Sequence, residues 1–117
     1  MSRDRRVYAL NGLRRDASLA LQRGDAAVAV ARLQEAVALA PNDASLHADL
    51  GSALLKAGRA QEAVAHFQRA LELDKTADVT QSLAEAYGAL GKPEERRRSL
   101  EMYERQKADR LRRGEFR

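Results

Sequence analysis

The chain carries two histidines, His47 and His66, and no cysteine. Imidazoles are the residues here best suited to proton transfer or metal ligation. They stand nineteen residues apart and on different helices, with no acidic ligand at a suitable spacing, which makes a poor zinc or iron site. The expectation is therefore no metal and no cofactor. A half-buried structural ring is expected at His47 and a partly solvated one at His66. The sequence holds no Gly-rich phosphate loop, no nucleophile elbow and no serine with a plausible base. It reads as a protein without catalytic residues.

A second candidate is the cation-rich segment with Arg96, Arg97, Arg98, Arg105, Lys107, Arg110, Arg112 and Arg113. Such a run can hold nucleic acid or an anionic membrane by releasing counterions. Glu94, Glu95, Glu101, Glu104 and Asp109 interleave with it, and Glu101 with Arg105 or Glu94 with Arg98 have the i, i+4 spacing of helix ion pairs. Tyr103 alone interrupts the charges as an aromatic, and packing claims it. A solvated terminal helix is the preferred reading, nucleic acid an unlikely partner, and a basic adaptor the alternative function.

The elements that position these side chains are helices. In 117 residues, alanine, leucine, glutamate and arginine dominate, aromatics make up 4%, and the two prolines, Pro41 and Pro93, sit where helices end or begin. This length suits one domain with a real core. The net charge of +4 is uneven: residues 1–15 and 92–117 each carry +4, and residues 16–91 carry −4. No run approaches the roughly 20 apolar residues that span a bilayer. The start of the chain lacks an apolar run long enough for a secretory signal, so a cytoplasmic location is expected.

Ala29-Val30-Ala31-Arg32-Leu33-Gln34-Glu35-Ala36 aligns with Ala63-Val64-Ala65-His66-Phe67-Gln68-Arg69-Ala70 at an offset of 34, as do Gly24 with Gly58 and Leu39 with Leu73. Gly91 follows Gly58 by 33, which places a one-residue deletion near Lys75-Thr76. A fixed period of this size with two amphipathic helices per unit marks a helical solenoid. Helices are expected at 4–22, 26–39, 44–57, 60–73, 77–89 and 93–112. Asp43 is expected to N-cap the third helix, and Pro93 to open the sixth. Gly24, Gly58 and Gly91 suit left-handed C-terminal caps. Gly51 and Ala63 are expected to let two helices approach closely, with Leu50, Leu54 and Phe67 filling the volume beside them.

Within Asp43 to Asp74, the run His47, Leu50, Gly51, Leu54, Ala63, Phe67 and Ala70 resembles the tetratricopeptide repeat. The first unit reads Leu13, Asp16, Ala17, Ala20, Ala29, Leu33, Ala36 and Pro41, with Asp16 where leucine is usual. The third reads Thr80, Leu83, Ala84, Tyr87, Gly91, Leu100 and Tyr103, with Arg96 where Ala29 and Ala63 stand. A register shifted by three would put Ser99 at that small position and Tyr103 at the aromatic one; the unshifted register needs no insertion and is preferred. Repeats are placed at about 10–43, 44–76 and 77–109, in one domain over 1–117. The resemblance implies an all-α, right-handed solenoid of about three hairpins with a long C-terminal capping helix. In it, His47 takes a packing position often held by tryptophan. Charge at Arg97 and Glu104, where the middle unit has Val64 and Leu71, is expected to face water and end the array. Val7, Leu10, Leu13 and Ala17 share one face of the first helix and are expected to extend it upstream.

Function follows the same resemblance: a non-catalytic protein-interaction scaffold, taking a peptide or a partner's helix in the groove lined by the first helices. Carried over by position, the lining is Asn11, Arg14, Ser18 and Gln22, then Ser45, Ala48, Asp49, Ser52 and Lys56, then Asp78, Gln81, Ser82 and Glu85. Relatives that clamp the carboxyl-terminal tail of chaperones use Lys, Asn, Asn, Lys and Arg. The matching positions here are Arg14, Ser18, Asp49, Asp78 and Ser82. Only Arg14 keeps the charge, and two aspartates repel a carboxylate, so that ligand is set aside. Asp49, Asp78 and Glu85 suit a basic or neutral peptide. Tyr8, Met102, Leu111 and Phe116 are apolar residues that a monomer leaves unburied; a monomer is the default, a symmetric dimer the alternative.

Overall fold

A computed structural model describes residues 3–114. Among them six helices follow in order: α1 (Arg3–Gln22), α2 (Ala26–Leu39), α3 (Ala44–Lys56), α4 (Ala60–Leu73), α5 (Thr80–Ala89) and α6 (Pro93–Arg112). Each packs mainly on its sequence neighbours, so the hairpins α1–α2, α3–α4 and α5–α6 stack in a line. The fold is an all-α solenoid. The thinnest of these successive contacts is that of α4 with α5.

Local chemistry sets the ends of the helices. Gly24, Gly58 and Gly91 take φ of 82°, 78° and 68°, the left-handed turn that releases the chain after each first helix. Pro93 occupies the first turn of α6, where its missing N–H costs nothing. Asp43 caps α3 as expected: its Oδ1 accepts from the N–H groups of Ser45 (2.9 Å) and Leu46 (3.2 Å). Those donors and the Ser45 hydroxyl hold the Asp43 carboxyl below the usual carboxylate range, the hydroxyl contributing most. Asp43→Ala should therefore lower unfolding free energy by about 1 kcal/mol, read from a urea melt at neutral pH.

α5 starts at Thr80, not at residue 77. Asp74 Oδ1 accepts from both the N–H and the hydroxyl of Thr76, the Ala77 N–H bonds to the Asp74 carbonyl, and Val79 N–H bonds back to the Ala77 carbonyl. These bonds wind residues 74–79 into a turn that satisfies the backbone before a helix can form. Asp78 consequently lies in that turn.

The middle hairpin holds the densest core. Phe67, Leu46, Leu50 and Leu54 are all fully buried. Gly51 meets the Phe67 ring there: a Cβ built at Gly51 would lie 2.6 Å from Cε1, 2.8 Å from Cδ1 and 3.0 Å from Cζ of that ring. The glycine is thus the seat of the aromatic face. Ala63 is buried beside it.

The two ends of the array differ from its middle for one reason. Leu46, Leu50 and Ala53 on α3 are buried, and so are Val79 just before α5 and Leu83 and Ala86 on it, the positions 33 residues further on. On α1 the same positions are Gly12, Asp16 and Leu19. A Cβ at Gly12 would meet nothing within 4 Å, Asp16 pairs loosely with Arg15 at 3.9 Å, and Leu19 is 41% exposed. Asp16 departs from the repeat pattern because water covers that face. At the other end, Arg97 and Glu104 are exposed as expected. Arg97 bonds Glu94 at 2.8 Å and Glu101 at 2.7 Å, so ion pairing runs through Arg97 rather than through the Glu94–Arg98 and Glu101–Arg105 pairs read from spacing.

α6 starts at the offset of 33 from α4, and a Cβ at Gly88 would come 3.3 Å from Arg96 Cδ. Its one fully buried side chain is nonetheless Ser99, with Leu100 and Tyr103 only half buried. Arg96 is exposed, whereas Ala63 on α4 is buried. Gln106 compensates further along, accepting from the Thr80 hydroxyl (3.0 Å) and donating to the Lys75 carbonyl (3.2 Å). On α1, Leu10 and Leu13 pack against the core and Ala17 is buried, but Val7 is half exposed. Tyr8 is 84% exposed and Leu111 50%. Phe116 lies outside the described residues.

Candidate functional site

α1, α3 and α5 lie side by side and present their seams on one face. At the α1–α3 seam, Arg14 reaches across to the Ser45 hydroxyl and lies 3.9 Å from an Asp49 carboxylate oxygen. The Ser45 hydroxyl in turn donates a hydrogen bond to Asp43 Oδ1 at 2.7 Å. Desolvation in the seam raises the Asp49 carboxyl, the Arg14 charge opposes that, and the Asp43 carboxylate adds to it. The Arg14 Nε is buried without a protein partner.

Below this polar rim lies a slot of about 170 Å³, lined by Arg14, Ser18, Asp49 and Ser52 above and by Ala17, Leu21 and Leu33 beneath. The α3–α5 seam holds a second, of about 150 Å³, among Ser52, Leu55, Lys56, Ser82 and Glu85. Beyond it, Gln81, Ser82, Ala84, Glu85, Arg96 and Leu100 surround about 450 Å³ where α5 meets α6. Ser52 and Ser82 each border two of these hollows. Small hydroxyl side chains leave the space that larger ones would fill.

Eight of the positions expected to line the groove thus come together at the seams: Arg14, Ser18, Asp49, Ser52, Lys56, Gln81, Ser82 and Glu85. Ser45 joins them through Arg14. Ala48 packs against the core instead, and Asn11 and Gln22 are exposed on α1 outside the hollows. Asp78 is drawn away to α6, where Arg110 holds it at 3.5 Å. The apolar floor was not among the expected residues. Leu21 and Leu55 stand 34 apart, so the repeat itself carried that signal.

The histidines, separate in sequence, meet in space. His47 is buried and His66 half buried, with Nδ1 to Nδ1 at 3.1 Å and the rings stacked at 5.3 Å between centroids. His47 Nε2 lies 2.8 Å from the Pro41 carbonyl. Among the described residues no group of three His, Cys, Asp or Glu is arranged to hold a metal ion. On α6, Arg97, Arg110 and Arg112 are each occupied by a carboxylate, those of Glu94 and Glu101, Asp78 and Asp109.

A family profile described as "Tetratricopeptide repeat" matches residues 15–78, more than half of the chain. The chain is a tetratricopeptide repeat protein. Solved structures agree on the fold: 43 chains match. One, described as "MamA MSR-1 C2", superposes with a TM-score of 0.78 at 23% identity and covers 86% of this chain. The match takes in 58% of that protein, so this tetratricopeptide repeat chain spans little more than half its length. No curated protein matches in sequence. As a member of this family the chain is a protein–protein interaction scaffold, and the family's members are generally non-catalytic. No described helix is long and apolar enough to cross a membrane.

Proposed function

We propose that this scaffold binds an extended peptide of another protein along the face of α1, α3 and α5, and that the peptide is uncharged where it meets the seams. The observation that carries this reading is the pair of slots floored by Leu21 and Leu55, one per seam, with serines at the rim. Each slot has the volume of an aliphatic or aromatic side chain. Neighbouring helices of a solenoid stand roughly 10 Å apart, about three residues of extended chain at 3.3 Å each. Two apolar anchors about three residues apart therefore fit the two slots. Of the acids that favoured a basic peptide, Asp49 faces Arg14 and Asp78 faces Arg110, which leaves Glu85 beside Lys56 and makes a neutral ligand the better match. The alternative through α6 loses ground for the same reason, since several of its cations are already neutralised.

The test is selection of peptides from a random displayed library on the whole chain. The winners should share the two spaced apolar residues. Ser52→Phe, which fills both slots, should weaken them at least about tenfold, roughly 1.4 kcal/mol, and Arg98→Glu on the outer side of α6 should not. Peptides that bind Ser52→Phe as tightly as the wild type would remove the reading.

A further inference from the structure

We propose that His47 and His66 form a proton-operated latch on the joint between the first and second hairpins, closed while at most one of the two rings is charged and open when both are. A carbonyl oxygen only accepts, so His47 Nε2, 2.8 Å from the Pro41 carbonyl, carries a proton. In the neutral ring that leaves His47 Nδ1 as an acceptor, and the 3.1 Å contact requires His66 Nδ1 to donate. One added proton enters at His66 Nε2 and leaves this bond intact. A second has only His47 Nδ1 to occupy, where it meets the His66 N–H head on. The bond is then lost and two charges stand in stacked rings 5.3 Å apart.

The surroundings decide what that opening moves. Pro41 belongs to the turn between α2 and α3, and the next residue, Asn42, accepts from Arg69 of α4 at 3.3 Å. The latch therefore ties α4 to the turn that sets the first hairpin against the second. Three charged groups flank the pair on its own helices. Glu62, one turn before His66 on α4, is bonded to Arg59 at 2.7 Å. Arg69, one turn after it, is paired with Glu72 at 3.1 Å. Asp43 caps α3 one turn before His47. Glu62 favours a charged His66, but burial and the neighbouring His47 outweigh it and hold the His66 imidazole below its ordinary value. Among the described residues no third His, Cys, Asp or Glu joins the two rings in a metal-holding group.

The sign follows from linkage. Unfolded histidines take up their protons near the ordinary value of about 6.5, whereas burial holds the folded His66 below it. The latch contributes fully above that pH and is lost as pH falls through the range where the second ring would charge. The experiment is an NMR titration of the two imidazoles in the whole chain, with melting temperatures from pH 7.5 to 5. The rings should titrate in two steps separated by at least about one unit. The melting temperature should fall by about 4–8 °C for each unit of separation, and His66→Gln, which keeps a donor but cannot charge, should flatten that slope. After correction for intrinsic rates, the Asp43 and Leu46 amides should lose protection in the same interval. A single shared midpoint near 6.5, or an equal slope in His66→Gln, overturns the latch. If that variant does not fold, the wild-type titration decides alone.

Discussion

Replacing Gly51 with leucine should abolish the cooperative melt of the entire chain. The first added atom, the Cβ, would already lie 2.6 Å from a Phe67 ring carbon, inside any real contact distance. The ring cannot swing aside, because Phe67 is fully buried among Leu46, Leu50 and Leu54. Overpacking a tight core costs about 1–3 kcal/mol for small additions, and leucine adds three further carbons to the same spot. A domain of this size has about 5–15 kcal/mol to lose. Circular dichroism against temperature reads the result; a sharp transition within a few degrees of wild type would contradict it. Gly51→Ala sharpens the test. Its gain in helix propensity, about 0.5–1 kcal/mol, is offset by the clash, and adding Phe67→Leu should restore the stability that the alanine removes.

Phe67→Ala should cost about 3–5 kcal/mol and take both neighbouring hairpins with it. In a stacked array each hairpin leans only on those beside it, and the middle one supports two interfaces. Leu100 on α6 stands 33 residues after Phe67. Leu100 is half buried, so Leu100→Ala should cost less than about 2 kcal/mol and leave the first two hairpins folded. Urea melts with hydrogen exchange across the three hairpins separate these outcomes. Phe67→Ala should lower protection in all three, and a loss confined to α3 and α4 would show that the hairpins are energetically independent.

The amino-acid sequence by itself determined the period, the helices and their caps. Those features come from neighbours in the chain: Gly91 after a helix, Pro93 opening the next, Asp43 two and three residues before the amides it caps. The interruption of α5 escaped because Asp74 could as readily have continued a loop as wound the turn that delays the helix to Thr80. The groove was legible as a row of positions, since one repeat places its residues like the next. Its polar positions follow from that periodicity, whereas Leu21 and Leu55, equally periodic, are not among the expected lining.

Only the tertiary structure could decide three things, each a meeting of residues far apart in the chain. Gly51 seats the Phe67 ring; Asp78 turns to Arg110 on α6; His66 comes to His47 within bonding distance. Periodicity states which face of a helix is apolar, a property that local spacing carries. Which side chain on the facing helix fills a given gap depends on the rotation and tilt of both helices. That geometry is settled by the packing of the whole array, so no stretch of sequence contains it.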